Sequence, residues 1–264
     1  MDFLTRIVEY KKEEIATAKT RIPESGLREK SRHIQNKRSF RQKLAMPDHS
    51  GVNIIAEIKR ASPSKGIICA GLDAARQAAA YEECGAAAIS VLTDRHFFNG
   101  SPSDLAAARQ ATTLPVLRKD FLISSYQIFE SGALGADAVL LIVRILSESQ
   151  LHDYLALCRE LKLDALVEVH CREDLDTALR AGAHLIGINN RNLTSFETDT
   201  QTAATLACEL GPDQVAVAAS GICDRKDIEN GLKAGIYNFL IGESLVRASD
   251  PAAMLQVLKG VKAT

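Results

Sequence analysis

The sequence has no excess of charge, no long apolar run and no leader pattern at its start. Its 264 residues carry a formal net charge of -1, which gives no reason to expect a nucleic acid or an anionic membrane as a partner. Its apolar runs are far too short to span a bilayer. Charged residues at 2, 6 and 9–14 interrupt the apolar core that a signal peptide would need. We therefore expect a cytoplasmic protein that binds neither nucleic acid nor membrane.

The sequence also lacks the usual spacings of metal and disulfide sites. None of its six cysteines forms a Cys-x-x-Cys pair, and they lie far apart, so we expect free thiols in a reducing compartment. Its six histidines show no His-Glu-x-x-His spacing, and a metal site is therefore not predicted. What is present is an ordinary globular composition, with 46% hydrophobic and 25% charged residues, in a chain long enough to bury a substantial core.

From residue 52 onwards, short apolar segments alternate with amphipathic ones. Glycines such as Gly85 and Gly135 end a helical pattern just before a strand, where they supply the left-handed cap. Eight such units predict a (β/α)8 TIM barrel of the α/β class, whose usual length is about 250 residues. A doubly wound sheet would usually have fewer strands and a Gly-x-Gly-x-x-Gly turn after the first one, where this sequence has Glu-Ile-Lys-Arg. The predicted strands are 52–58, 87–92, 115–118, 137–142, 165–169, 184–189, 214–219 and 237–241.

Residues 1–48 differ from this repeat and are predicted to form a helical extension. Apolar residues recur at helical spacing between positions 3 and 15, and Pro23 ends that helix. The basic segment 25–44 predicts a second helix. Its charges would also suit a nucleic-acid arm, but a solvated helical face is the commoner meaning of such a run. We therefore predict one domain, 1–264, in which 1–48 is an N-terminal helical extension packed on the barrel.

Polar side chains follow most of the predicted strands, at the end where such barrels carry their chemistry. Glu57 and Lys59 lie two residues apart at the end of the first strand, and such residues point to the same face. A structural ion pair would explain these two by themselves. The same rim also receives Lys119, Glu168 and Asn189 from other strands, and charges there are costly unless they are paired or used. We therefore predict an acid–base active site on this rim.

The last two strands each end in a glycine that precedes a helix. Backbone N–H groups at Gly221, Gly242 and Glu243, helped by the helix dipole, would bind an anion. The loops after strands seven and eight are the usual phosphate site of this barrel. A tight turn would need glycine in any case, so it is the pair of turns that favours a phosphate site. Ser62 in the first loop would add a hydroxyl.

Five motifs follow five strand ends in this order: Glu-Ile-Lys-Arg-Ala-Ser-Pro-Ser at 57–64, Asn-Gly-Ser at 99–101, Leu-Arg-Lys-Asp-Phe at 117–121, Leu-Val-Glu-Val-His at 166–170 and Ile-Asn-Asn-Arg-Asn-Leu at 188–193. Together they resemble the indole-3-glycerol phosphate synthase family, over nearly the whole chain. The resemblance implies a TIM barrel of tryptophan biosynthesis. Its phosphorylated small-molecule substrate, 1-(2-carboxyphenylamino)-1-deoxyribulose 5-phosphate, is closed, decarboxylated and dehydrated. No step needs redox chemistry or an electron sink, so no cofactor is expected.

The resemblance also implies roles for the charged residues of the rim. Lys119 would be the general acid that protonates the substrate ketone, because a lysine in a partly buried apolar pocket suits that task. Glu168 and Glu57 would be the carboxylates of the dehydration. Lys59 would share the acid role or pair with the substrate carboxylate. Which of these four residues acts as acid and which as base in each step stays open.

The remaining predicted residues would bind or orient the substrate. Asn189 would hold a substrate hydroxyl or Glu168, and Ser220 is grouped with the catalytic residues. Arg191 would hold the anthranilate carboxylate or order the phosphate loop. Candidate walls for the aromatic ring are Phe98, Phe121 and Leu140, although ordinary core packing explains the two phenylalanines nearly as well.

The sequence departs from the family pattern at the seventh strand. That strand usually ends in Glu-Ser-Gly, and here it ends in Ala219-Ser220-Gly221. The missing carboxylate is thought to contact the substrate hydroxyls and the catalytic lysine, so we expect catalysis that is retained but altered. One alternative is a non-catalytic or altered barrel that binds a sugar phosphate, and another is an isomerase or aldolase acting on a ribulose phosphate. We expect a monomer or a weak homo-oligomer.

Overall fold

The computed structural model of the chain describes residues 3–33, 36–63, 65–192 and 197–261. Two residues of the quoted motifs, Ser64 and Leu193, lie outside these ranges. Residues 1–2 and 34–35 of the predicted extension also lie outside them.

The described part of the extension forms three helices, not the predicted two. They are α1 (Phe3–Arg21), α2 (Glu24–His33) and α3 (Phe40–Leu44). Pro23 separates α1 from α2, because its ring fixes φ and it has no N–H to donate. The basic segment is divided because Ser39 starts a new helix, in which its hydroxyl oxygen accepts a hydrogen bond from the Gln42 N–H.

Eight parallel strands close into a barrel, which confirms the predicted (β/α)8 fold. The strands are β1 (Asn53–Ile58), β2 (Ala61–Ser62), β3 (Gly66–Ile67), β4 (Ala88–Leu92), β5 (Val116–Lys119), β6 (Ala138–Ile142), β7 (Asp164–Val169), β8 (Leu185–Asn189), β9 (Val215–Ala219) and β10 (Asn238–Ile241). The barrel contains β1 and β4 to β10 in chain order, and β10 pairs with β1 to close it. The sequence pattern did not indicate β2 and β3, which form a small antiparallel hairpin in the first loop.

Helices follow the barrel strands and cover the outside of the barrel. They are α4 (Ala74–Glu83), α5 (Pro102–Ala111), α6 (Ser125–Ala133), α7 (Glu148–Glu160), α8 (Arg172–Arg180), α9 (Gln201–Ala207), α10 (Arg225–Lys233), α11 (Glu243–Arg247) and α12 (Pro251–Lys259). Gly85 and Gly135 have φ values of 84° and 86°, the left-handed conformation that glycine adopts without strain. Within the described residues, no helix is both long enough and apolar enough to cross a membrane.

The strands alternate between two apolar cores, and this alternation positions the site. In β1, Ile54 belongs to the core beneath the helices, whereas Ile55 belongs to the core inside the barrel. Phe40 and Leu44 of α3 are fully buried in that inner core and close the amino-terminal end of the barrel. Glu57 shares the inward face with Ile55 because side chains two apart on a strand point the same way. It therefore points into the barrel at its open, carboxyl end.

Candidate active site

A cavity of about 840 Å³ lies at the carboxyl ends of the barrel strands. Every residue that the sequence predicted for the site lines this cavity: Glu57, Lys59, Ser62, Phe98, Lys119, Phe121, Leu140, Glu168, Asn189, Arg191, Ser220, Gly221, Gly242 and Glu243. The structure thus brings together residues from all eight barrel strands or the loops that follow them. In the described part of the chain, no group of three or more His, Cys, Asp or Glu side chains is arranged to hold a metal ion.

Glu57 and Lys59 form an ion pair that faces this cavity. Lys59 Nζ lies 2.7 Å from Glu57 Oε1, and the two side chains are 14% and 6% exposed. Burial by itself would raise the pKa of Glu57, but the positive charges of Lys59, Lys119 and Arg191 hold that pKa below its usual value. Gly242 leaves the space for this carboxylate, since a Cβ at that position would collide with Glu57 Oε1. The pair is therefore both an ion pair and part of the rim.

Lys119 and Glu168 form a second, looser pair. Lys119 Nζ lies 3.7 Å from Glu168 Oε2, beyond the roughly 2.7–2.9 Å of a charge-assisted hydrogen bond. Asn189 Nδ2 donates to the other oxygen, Glu168 Oε1, at 3.1 Å. The Oδ1 of Asn189 accepts from the Arg191 backbone N–H at 3.0 Å, which fixes the amide. Of the two partners expected for Asn189, the structure therefore shows Glu168.

One side of the cavity is apolar. The ring centroids of Phe98 and Phe121 lie 6.1 Å apart, and Leu140 adds a branched side chain beside them. Phe3 and Leu4 of α1 also line the cavity, and sequence reasoning missed them as site residues. Their spacing shows only that they belong to the apolar face of a helix, and no local signal says that this helix lies over the open end of the barrel.

The opposite side presents the turns that were expected to bind an anion. Ser220 and Gly221 have φ values of 67° and 75°, the left-handed region, which is uncommon for a serine. Ser62 Oγ is buried and has no hydrogen-bond partner among the described residues. The Glu243 carboxylate lies 3.3 Å from Arg247 Nε, so an anion would meet the backbone N–H of Glu243 and not its side chain.

Ala219 ends β9 and lines the cavity. Its register partners are Asn189 on one side and Leu240 on the other. The side chain is a methyl group, so this part of the wall carries no charge.

A buried charge network beside the cavity was also missed. Lys11 of α1 is 1% exposed, and its Nζ lies 2.9 Å from both Asp94 Oδ2 and Asp120 Oδ1. Arg118 Nη2 lies 3.2 Å from the other oxygen of Asp120. Burial would raise the pKa of Asp120, but Arg118 and Lys11 lower it to about 2. The network therefore pins the extension next to Lys119.

Comparisons with known proteins find relatives over nearly the whole chain. A profile of the family described as Indole-3-glycerol phosphate synthase matches residues 4–258. The chain is 57% identical to the indole-3-glycerol phosphate synthase of Desulfosudis oleivorans over 258 residues, which are 97% of this chain and 98% of that protein. It is 55% identical to that of Syntrophobacter fumaroxidans over 262 residues, 99% of each chain.

A solved structure agrees on the fold alone. Thiamine phosphate pyrophosphorylase from Pyrococcus furiosus superposes with a TM-score of 0.59 at 16% identity, over 80% of this chain and 95% of that one. The family resemblance of the strand-end motifs is confirmed by the profile and the close relatives. The chain belongs to the indole-3-glycerol phosphate synthase family.

Proposed function

We propose that this chain converts 1-(2-carboxyphenylamino)-1-deoxyribulose 5-phosphate to indole-3-glycerol phosphate by ring closure, decarboxylation and dehydration. The observation that carries the proposal is that the Lys119–Glu168 pair and the Glu57–Lys59 pair share one cavity. That cavity has an apolar wall that would suit an aryl ring, and turns after β9 and β10 that would suit a phosphate. Membership of the family supports the same reaction.

The phosphate would lie against the turns after β9 and β10. Gly221, Gly242 and Glu243 line this side of the cavity, and their backbone N–H groups would bind the phosphate, since helix starts favour negative charge. Ser220 and the unpartnered Ser62 hydroxyl would complete the shell. A buried hydroxyl without a hydrogen bond is costly, so a phosphate oxygen at Ser62 would remove that cost.

The anthranilate ring would lie at the apolar end of the cavity. Phe98, Phe121 and Leu140 would pack against its faces and edge. Arg191 and Lys59 both line the cavity and would hold the ring carboxylate until it leaves as CO2. Phosphate at one end and carboxylate at the other would stretch the substrate across the two lysines.

In ring closure, Lys119 would donate a proton to the ketone oxygen while the ring carbon that bears the carboxylate bonds to the ketone carbon. A positioned acid of this kind contributes roughly 10²–10⁴ in rate. Glu168 at 3.7 Å would orient the ammonium group. Loss of CO2 from the same ring carbon then returns its electron pair to the ring and restores aromaticity.

Dehydration would use the second pair. The hydroxyl formed in ring closure leaves as water when Lys59 or Lys119 protonates it, and a proton leaves the adjacent methylene carbon. Because the pKa of Glu57 is held below its usual value, Glu57 is ionised at neutral pH and suits the role of the base. Glu168, which also lines the cavity, is the second candidate for this role.

The non-catalytic alternative rests on Ala219. Four candidate acids and bases line the cavity without a carboxylate at position 219: Glu57, Lys59, Lys119 and Glu168. This supports the catalytic proposal over the non-catalytic one. We also propose that residues 1–264 act as one domain, because Phe3 and Leu4 of the extension line the same cavity as the barrel residues.

The test is to incubate the protein with the substrate and follow the fluorescence of the indole product. We expect product from the wild type and none from Lys119→Met, which should still bind the phosphorylated ligand. Lys233→Met, an exposed lysine on α10, is the control and should match the wild type. A folded wild type that binds the ligand tightly without turnover would support the non-catalytic alternative. Turnover by Lys119→Met would show that Lys119 is not the acid.

A further inference from the structure

His170 is a buried histidine that the proposed steps do not use. It follows Glu168 by two residues at the end of β7, and its side chain is 3% exposed. His170 Nε2 lies 3.5 Å from Glu168 Oε1, and Nδ1 lies 3.6 Å from Asp174 Oδ2. Neither ring nitrogen has a hydrogen-bond partner in the described part of the chain. Buried polar groups are nearly always hydrogen-bonded, so a ring aimed at two carboxylates from just beyond that distance calls for an explanation.

The carboxylate on the far side of the ring is held in place. Asp174 Oδ2 accepts the His170 backbone N–H at 2.9 Å and Arg144 Nε at 2.8 Å. Burial would raise the pKa of Asp174, but its contacts with His170 and Arg144 lower it to about 2. Asp174 is therefore a fixed anion that can accept a hydrogen bond from Nδ1–H and so orient the ring.

The two oxygens of Glu168 have different surroundings. Oε1 faces the protein interior, where it accepts from Asn189 at 3.1 Å and faces His170 Nε2 at 3.5 Å. Oε2 faces Lys119 Nζ at 3.7 Å. Glu168 lines the cavity, and His170 is not among the described residues that do. A histidine in this place acts on the carboxylate and not on the substrate.

We propose that His170 is a positioning residue that, together with Asn189, holds Oε1 of Glu168 so that Oε2 is presented to Lys119 and the substrate. Nε2–H would donate to Oε1, which needs the two atoms to approach by about 0.5 Å to reach hydrogen-bond distance. Because Nδ1–H would donate to Asp174 at the same time, the ring acts here as an imidazolium, the form in which both nitrogens carry a proton. Asp174 would hold the ring from its other nitrogen. This inference rests on the proposed function, in which Glu168 works beside the acid Lys119.

Two substitutions of similar size separate a donor from a space-filling side chain. His170→Leu removes the N–H, and His170→Gln retains one. We expect His170→Leu to lower kcat by about 10- to 100-fold with KM within about 3-fold, because small misplacements of a reacting group cost rate and not binding. His170→Gln should recover most of that loss. His184→Leu changes an exposed histidine at the opposite end of the barrel and should match the wild type.

A double-mutant cycle tests whether His170 acts through Glu168. In a Glu168→Ala background, His170→Leu should change the single-turnover rate by less than about 2-fold. If the two losses multiply, or if the leucine and glutamine variants have the same kcat, the proposal is overturned. Thermal unfolding of each variant reports whether it is folded.

Asp174→Asn keeps the test available if His170→Leu does not fold. Introduced into the wild-type protein, it should lower kcat. Introduced into the Glu168→Ala variant, it should leave the single-turnover rate unchanged. Equal losses of rate in both backgrounds would contradict the proposal. A folded wild type that forms no indole product would reject the proposed function itself. Wild-type turnover with an unaffected His170→Leu variant would reject only the role of His170.

Discussion

Two groups of buried charges lie at the open end of the barrel, and they differ in how completely they are paired. The anchor network consists of Lys11, Asp94, Arg118 and Asp120, and the catalytic group, named for its proposed role, consists of Glu57, Lys59, Lys119 and Glu168. Side chains of the anchor network are at most 3% exposed, and their ion pairs measure 2.9–3.2 Å. In the catalytic group the lysines are 14% and 20% exposed, and one pair opens to 3.7 Å.

One strand end supplies residues to both groups. Lys119 and Asp120 are neighbours at the end of β5, and successive side chains of a strand point to opposite faces. Lys119 therefore faces the cavity, and Asp120 joins Arg118 and Lys11 beneath the extension. In the anchor network each carboxylate meets a cation at 2.9–3.2 Å, and the network holds α1. In the catalytic group the 3.7 Å separation of Lys119 and Glu168 leaves both able to contact a substrate.

The largest change in rate is expected from removing a charge of the catalytic group. Glu168→Gln should lower kcat by about 10²–10⁴-fold, the usual contribution of a positioned acid or base. It should change the free energy of unfolding by less than about 1 kcal/mol, since an amide still fills the site and accepts a hydrogen bond. Product fluorescence and urea unfolding measure the two quantities.

The matched control is Glu160→Gln, which changes a glutamate that is 53% exposed. It should leave both quantities unchanged. A loss of stability as large as the loss of activity in Glu168→Gln would contradict the distinction between the two groups.

Breaking the anchor network should instead cost stability. Lys11→Met leaves Asp94 and Asp120 without their shared cation, and removing one partner of a buried ion pair costs about 3–5 kcal/mol. Urea unfolding measures the loss, with Lys12→Met, an exposed neighbour, as the control. A change below about 1 kcal/mol would show that the network does not hold the extension.

Acid should weaken the anchor network in a defined pH window. The pKa of Asp120 is lowered to about 2 in the folded chain and is about 3.9 in an unfolded one. A lowered pKa stabilises the fold above pH 4, and that contribution is lost as the pH falls from about 4 to about 2. The amount is about 2–3 kcal/mol for Asp120.

The measurement compares the wild type with Asp120→Asn by urea unfolding at pH 6 and near pH 2.5. The difference in unfolding free energy between them should shrink on acidification, because a protonated aspartate resembles asparagine. A difference that stays constant would contradict the assignment of this pH dependence to Asp120.

The smallest change in rate is expected from adding a carboxylate beside the catalytic group. Ala219→Glu restores a carboxylate to the cavity wall at the position where the family usually has one. We expect kcat to rise by about 3- to 10-fold, or about 1 kcal/mol, because an additional anion would orient the substrate hydroxyls and a lysine. Ala219→Gln has the same size without the charge and should show no rise. A drop or no change in Ala219→Glu would reject the idea that the missing carboxylate limits the rate.

Much of the site could be predicted because it depends on local rules. The two-residue spacing of Glu57 and Lys59 is enough to place both on one face, and the position of Lys119 at the end of a strand is enough to place it on the same rim. His170 has the same spacing from Glu168 and could have been found in that way. The spacing does not reveal that Asp174, on the following helix, would lie on the other side of the ring.

The anchor network could not be predicted in the same way. Lys11 lies on the buried face of α1 between Ile7 and Ile15. A lysine there indicates that an acidic partner exists, but the sequence does not show which residue it is. Its partners, Asp94 and Asp120, lie more than 80 residues further along the chain. Which acids it meets depends on where the extension docks.

Local sequence patterns are enough to predict the repeat of strands and helices, the face on which each strand-end residue lies, and the family. These follow from side-chain periodicity, from capping residues and from motifs, all of which act over a few neighbouring residues. Three further features are set by tertiary contacts: α1 lies over the open end, each carboxylate of the anchor network meets a cation, and Oε1 and Oε2 of Glu168 have different partners. Those outcomes depend on the closure of the barrel, which buries charges from distant segments together and makes their pairing a condition of stability.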